Sequence, residues 1–338
     1  MAAEPLLSVS NLSVEIRSRR GLVCAVSDVS FSVQPGEFVG IAGESGCGKS
    51  TLCHAISRSL PPAATLKGSI RLDGEEIATK SESQMRGIRG RKMSMILQNP
   101  LTSLDPVFKI GAQIDEVLRH VVGLSGEERR RRMLQLLEQV HISDPERRAR
   151  SYPHQLSGGM RQRVVTAMAS APRPMLLLAD EPTTALDVTI QEQILGLFRE
   201  IRDLTGCTFI IVTHDLGIIR RLCDRVLVMY GGRLVEESRA AEAFAHPRHP
   251  YTAALVGSLP RIGDRRRRLQ TIEGGTPDLA KAIEGCAFAP RCAFAIERCA
   301  AERPLLTGEK GGRAVACHLF DAAALPVVAA PALSQVRL

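Results

Sequence analysis

Nine residues, GESGCGKST from Gly43 to Thr51, constrain the fold more than any other stretch of the chain. They fit the spacing G-x-x-x-x-G-K-[ST], which average residue frequencies produce by chance in about one chain of this length in a hundred. The segment before them, FVGIAG, is a continuous apolar run like that of a buried strand. A helical pattern follows, so the motif has the strand–loop–helix context it needs. Gly43, Gly46 and Gly48 allow a tight turn in which backbone N–H groups surround phosphates. The helix behind them adds the positive end of its dipole. Lys49 is placed to reach β- and γ-phosphates, and the Ser50 hydroxyl to ligate Mg²⁺. Glu44, Ser45, Cys47 and Thr51 complete the candidate loop.

The rest of the chain reads as a frame for that loop. LLSVSNLSVEI and AVSDVSFSV alternate apolar and polar residues, as antiparallel strands do. MLLLAD, FIIVTH and RVLVMY repeat the buried-strand pattern, with helix-like segments between them. Strands alternating with helices predict an α/β core with a mostly parallel sheet. Between about residues 100 and 171, GAQIDEVLRHVVGL and EERRRRMLQLLEQVHI have helical spacing and predict a helical insert. After Arg239 the chain is punctuated by Pro and Gly, which predicts a boundary near residue 240. Residues 1–240 are then one domain, and 241–338 a smaller one with a poorly ordered end.

Composition narrows the function classes. Hydrophobic content of 44% and charged content of 24% suit a soluble globular chain, and no apolar run reaches the length of a membrane span. The N-terminus lacks the pattern of a signal peptide, which predicts a cytosolic chain. The net charge of +8 owes much to two arginine runs, Arg129 to Arg132 and Arg265 to Arg268. Aromatic platforms for stacking bases do not accompany them, so a solvated helix face and a linker are the preferred readings over nucleic-acid binding. Nine cysteines in a reducing compartment argue against disulfides.

Two further segments carry chemistry. LLLADE delivers Asp180 and Glu181 at the end of an apolar run. The first acid suits metal binding beside a nucleotide, and the second is placed to take a proton from an attacking water. LSGGMRQR, Leu156 to Arg163, has an N-cap serine, Ser157, followed by Gly158 and Gly159. Exposed backbone N–H groups there make a second anion site. Two such sites with one nucleotide imply either two nucleotides or one nucleotide shared between two subunits.

LSGGMRQR matches the signature of the ATPase subunits of ABC transporters, and the chain resembles that family over about residues 6–240. Gln98 in MILQNP matches the Q-loop glutamine, Ala185, Leu186 and Asp187 the D-loop, and His214 in IVTHD the switch histidine. The resemblance implies a P-loop NTPase core with an antiparallel β subdomain and a helical insert, and hydrolysis of Mg²⁺–ATP. It also implies a head-to-tail dimer. ATP bound by Gly43–Thr51 of one subunit is closed over by Ser157, Gly158, Gly159 and Gln162 of the other. Gln98 senses nucleotide and Mg²⁺, Asp180 holds the metal, and His214 contacts the γ-phosphate beside Glu181. Many members stack adenine on an aromatic residue. Here Ile16 or Arg17 stands at that place, which predicts weaker base discrimination.

QNPLTSLDPVFKIGAQIDEVL, SYPHQLSGGMRQR and HPRHPYTAALVGSLP resemble the oligopeptide/dipeptide importer group. That resemblance implies two transmembrane permease subunits, received at Asn99 to Val107, and a second, non-identical ATPase subunit. It also implies an extracytoplasmic solute-binding protein and a place on the cytoplasmic face of the membrane. The group carries di- and oligopeptides, and related members carry nickel and other solutes. The alternative is a soluble ABC ATPase acting on nucleic acid. The tail also resembles the group's C-terminal extension, with Cys286, Cys292, Cys299 and Cys317 at spacings of five, six and seventeen residues. No tight C-x2–4-C knuckle is present, so zinc has no spacing in its favour. Four thiolates on wider loops suit a [4Fe–4S] cluster at least as well, and the resemblance favours it. Zinc and no metal remain open.

Overall fold

The computed structural model describes residues 4–19, 21–184, 186–259, 272–309 and 312–320. The Arg265–Arg268 run, Ala185 and the end expected to be poorly ordered lie outside the described residues. In chain order the strands are β1 (Leu7–Ser18), β2 (Gly21–Val33), β3 (Phe38–Ala42), β4 (Ala64–Leu72), β5 (Glu75–Glu76), β6 (Met93–Ile96), β7 (Leu176–Asp180), β8 (Thr208–Thr213), β9 (Arg225–Tyr230), β10 (Arg233–Arg239), β11 (Thr307–Glu309) and β12 (Arg313–Val315). The α-helices are α1 (Lys49–Ile56), α2 (Glu82–Arg86), α3 (Pro100–Ser103), α4 (Ile110–Val117), α5 (Gly126–Gln139), α6 (Pro145–Ala149), α7 (Gly158–Ser170), α8 (Val188–Thr205), α9 (Leu216–Leu222), α10 (Ala240–Ala245), α11 (Pro250–Gly257) and α12 (Glu297–Ala301).

The chain folds as two compact units. Of the described residues, one comprises Glu4, 34–37 and those from 79 to 212. Its strands β6, β7 and β8 pair in parallel. Every residue of β7 and of β8 is buried, as the continuous apolar runs require. In α8, Ile194, Leu197, Phe198 and Ile201 are buried at i, i+3, i+4 and i+7, the stripe of a helix packed on one side. Residues 100–171 hold only helices and the turns between them. There α4 passes into a π-turn at Leu118–Val122, which Gly123 ends at φ 84°. Arg129 on α5 pairs with Asp115 on α4, while Arg130 and Arg131 are exposed.

Of the described residues, the other unit comprises those from 5 to 33, from 38 to 78 and from 213 to 320. Strands β1, β2, β4 and β5 form an antiparallel sheet in the order β2-β1-β4-β5. The alternation read in the sequence buries Leu7, Val9, Leu12 and Val14 on β1. Its phase shifts at a bulge between Val9 and Leu12, where Asn11 takes φ 49° and donates to Asp28. β3 pairs in parallel with β9, and β10, β12 and β11 extend that sheet in turn, each antiparallel to the strand before it. The apolar β3 is buried at every position and delivers the glycine-rich loop at its C-terminal end.

Candidate functional site

The loop after β3 owes its shape to two glycines that nothing larger can replace. Gly43 has φ 151°, and a Cβ there would lie 2.3 Å from the Met229 carbonyl oxygen. Gly48, the left-handed N-cap of α1 at φ 101°, would place a Cβ 2.1 Å from the Ala25 carbonyl oxygen. Both positions therefore exclude a side chain sterically as well as conformationally. Gly46, at φ 81°, has open space around it. Lys49 is 5% exposed, and its Nζ donates to the carbonyls of Gly43 (2.8 Å) and Glu44 (2.9 Å). Ser45, Gly46 and Ser50 are exposed, and Thr51 is half-buried. Cys47 is buried beneath the loop; burial pushes its thiol pKa up, and the nearby Lys49 ammonium opposes the shift. The result is a cluster of backbone N–H groups at a helix start with a lysine folded back on it, an arrangement suited to a polyphosphate.

His214 belongs to the same unit. It is exposed just beyond β8, before Asp215, which caps α9 by accepting from the Gly217 N–H.

The carboxylates belong to the other unit. Asp180 ends β7 at 4% exposure. Glu181 follows at φ 45°, a left-handed conformation that costs a non-glycine residue about 1–2 kcal/mol. Its N–H is held by the Val212 carbonyl of β8, and its Oε2 accepts from Gln98 Nε2 (2.9 Å) and Thr184 Oγ1 (2.9 Å). The two residues singled out as base and sensor are thus in direct contact. Gln98 and Thr184 together restrain the carboxylate.

On α7, Ser157 and Gly158 are exposed and Gly159 is buried. Ser157 Oγ accepts from the Met160 N–H, so the N-cap forms as expected. A Cβ on Gly159 would lie 2.5 Å from the Ile190 side chain, so this glycine serves the close approach of α7 to α8. Gln162, placed by the sequence with the exposed signature residues, is 1% exposed. It lies one turn into the helix, among the buried residues of α7. Asp187 caps α8, accepting from the Ile190 N–H at 2.9 Å.

The four cysteines of the tail line one small cavity with Phe288, Phe294, Pro304, Leu319, His249 and His318. Among the described residues, no group of three or more His, Cys, Asp or Glu side chains is arranged to hold a metal ion. The four sulfurs share this cavity without forming the ligand set of a single metal ion among the described residues. Burial raises the thiol pKa values of Cys286 and Cys292 and pushes that of Cys317 up to about 12. His249, capping α11 through Nδ1, which accepts from the Tyr251 N–H, leaves its buried Nε2 without a hydrogen-bond partner among the described residues.

The family description "ABC transporter" matches residues 26–184, and "Oligopeptide/dipeptide transporter, C-terminal region" matches residues 235–299. A probable peptide ABC transporter ATP-binding protein of Sinorhizobium fredii is 46% identical over 318 residues, covering 93% of this chain and 95% of the relative. The chain belongs to the ATP-binding subunits of ABC transporters. A putative peptide import ATP-binding protein of Brucella ovis is 47% identical to this ATPase subunit over 319 residues, covering 90% and 94% of the two chains. Among solved structures, the ATP-binding cassette MJ0796 in a dimeric post-hydrolysis state with ADP and Pi matches with a TM-score of 0.62. That match has 30% identity and covers 69% of this chain and 98% of that one. CbiO1 from Clostridium perfringens, part of the cbiONQ ABC transporter complex, matches with a TM-score of 0.61 and 27% identity, covering 72% and 92%. The fold is the P-loop ATPase fold of this family, and the chain is an ATP-hydrolysing transporter subunit.

Two residues of this ATPase that the sequence reading passed over touch the phosphate loop. Arg291, in the short turn between Cys286 and Cys292, pairs with Glu44 (2.6 Å). Tyr251 of α11 accepts a hydrogen bond from the Glu44 N–H (2.8 Å). The segment HPRHPY carries a signal for the second: a proline at the first helical turn behind a capping histidine marks a helix start. Nothing in the sequence marks the first.

Proposed function

We propose that this subunit energises import of di- or oligopeptides, or of a related solute such as nickel, by closing a head-to-tail dimer over ATP. The observation that carries the reading is the presence in one chain of the ABC match and the oligopeptide/dipeptide C-terminal match. Relatives named for peptide import favour transport over the nucleic-acid alternative. In this reading Gly43–Thr51 hold the phosphates, Lys49 neutralises the β- and γ-phosphates, and Ser50 and Asp180 hold Mg²⁺. Glu181 receives a proton from the attacking water, positioned by Gln98, and His214 orients the γ-phosphate. Ser157, Gly158 and Gly159 present N–H groups to the ATP of the facing subunit, so the site is complete only on closure. Asp187 lies in the same contact. The MJ0796 cassette is itself described as dimeric, which supports a dimer here.

The partners implied are two transmembrane permeases, a second and non-identical ATPase subunit and an extracytoplasmic solute-binding protein. No helix among the described residues is long and apolar enough to cross a membrane. Attachment to the membrane then runs through the permeases on the cytoplasmic face. Asn99 to Val107 is the candidate contact, with Leu101 and Val107 exposed at 57% and 70%.

The tail is proposed as a small four-cysteine domain. The shared cavity and the orphaned His249 Nε2 support a common ligand for Cys286, Cys292, Cys299 and Cys317. A [4Fe–4S] cluster spreads four thiolates over four irons, so its ligands stand farther apart than those of one zinc ion. Such a cluster would staple a segment with little core of its own.

Purification of the tagged chain from detergent-solubilised membranes tests the transport reading. Recovery with two hydrophobic membrane proteins is expected; recovery with nucleic acid and no membrane protein would contradict it.

A further inference from the structure

Glu44 sits inside the loop that receives the phosphates, where a carboxylate is electrostatically out of place. The chain answers that charge from 247 residues away. Arg291 is 6% exposed at its side chain, and Glu44 is 26% exposed at its own. The guanidinium grips Glu44 with both arms, Nη1 to Oε2 at 2.6 Å and Nη2 to Oε1 at 3.1 Å. Its other N–H groups donate to the Tyr230 hydroxyl (3.1 Å) and to the carbonyls of Ile272 (3.0 Å) and Glu273 (2.8 Å). All five donors are used, so the head group has one orientation.

The mount of Arg291 is equally fixed. The residue ends a 3₁₀ turn, Ala289–Arg291, whose N–H bonds run from Arg291 to Phe288 and from Cys292 to Ala289. Phe288 packs edge-on against Tyr230 at 5.2 Å and against Tyr251 at 5.4 Å. Tyr251 in turn holds the backbone N–H of Glu44. Both the main chain and the side chain of one phosphate-loop residue are therefore held by residues beyond 240, outside the matched span of the ABC description.

We propose that Arg291 is a positioning residue for ATP binding, acting through Glu44: it cancels the carboxylate's charge and draws it away from the phosphate cradle, so that the turn between Cys286 and Cys292 sets the subunit's affinity for ATP. The inference rests on the ATP reading of Gly43–Thr51. A purely structural brace would behave differently from a counter-charge, because removing the acid would then not repair loss of the arginine.

Calorimetric titration of the full chain with Mg²⁺–ATP separates the two. Arg291→Met leaves an uncompensated negative charge beside the triphosphate and weakens binding about tenfold, the scale of one partly solvated like charge at close range. Glu44→Gln leaves the arginine's positive charge unopposed and tightens binding about threefold. The double variant returns to within about twofold of wild type. Wild-type affinity in Arg291→Met, or a double variant no tighter than Arg291→Met, overturns the proposal. Should Arg291→Met fail to fold by circular dichroism, Glu44→Gln decides alone, and unchanged or weaker binding overturns it. Wild-type protein that does not bind ATP would instead overturn the nucleotide reading.

Discussion

Replacing Gly48 with alanine adds one methyl group at the most crowded point of the phosphate loop. Two costs follow. A left-handed backbone at φ 101° strains any L side chain, by about 1–2 kcal/mol. The new Cβ would also lie 2.1 Å from the Ala25 carbonyl oxygen, so the loop and α1 must draw back from β2 by an ångström or more. Overpacking of that kind adds about 1–3 kcal/mol, giving about 2–5 kcal/mol together. Gly206→Ala is the control, because that helix-ending glycine has φ 70° and open space around it. It carries the strain alone, about 1–2 kcal/mol. Thermal unfolding of the two variants, read beside an ATP titration, distinguishes the costs. At about 2 °C per kcal/mol for a chain of this size, Gly206→Ala falls by about 2–4 °C and binds ATP as wild type does. Gly48→Ala falls further and loses binding. A Gly48→Ala protein as stable as Gly206→Ala, and with wild-type ATP affinity, would refute the steric account of the loop.

Other expectations follow from the same geometry. Gln98→Ala removes the amide that holds Glu181 Oε2 and should slow turnover more than it weakens ATP binding, as steady-state kinetics beside a direct titration would show. With Ile16 and Arg17 in place of an aromatic, ATP and GTP should bind with similar affinity; a strong preference for ATP in side-by-side titrations would contradict the expectation. Anaerobically purified protein should carry iron and acid-labile sulfide with broad absorbance in the visible blue, and a colourless protein with stoichiometric zinc would contradict the cluster.

The sequence reached furthest where a motif and a buried strand coincide. β3, β7, β8 and β9 are all continuous apolar runs, and each is buried along nearly its whole length. The phosphate loop, the Ser157 cap and the acids after β7 followed from local spacing. What stayed hidden was of three kinds. The strand β4, ATLKGSIRL, is half solvated and shows no clean alternation, so its pairing with β1 could not be read. The helix α11 buries Tyr251, Thr252 and Ala254, and a short helix covered on several sides has no amphipathic stripe. Arg291 reaches Glu44 only through the fold, and an arginine in a cysteine-bounded turn looks like any solvated one. Gln162, grouped by the motif with Ser157, Gly158 and Gly159, is buried in α7, a burial that the motif alone does not signal.

In the proposed reading hydrolysis depends on Glu181, the carboxylate that follows β7, and Glu181→Gln removes its capacity to act. The substitution keeps the shape of the side chain and removes its capacity to take a proton. Glu181→Gln is expected to bind ATP near the wild-type level, to hydrolyse it about 10²-fold or more slowly, on the scale of a lost general base, and to be trapped as an ATP-bound dimer on size-exclusion chromatography. Unchanged turnover in Glu181→Gln would contradict the reading.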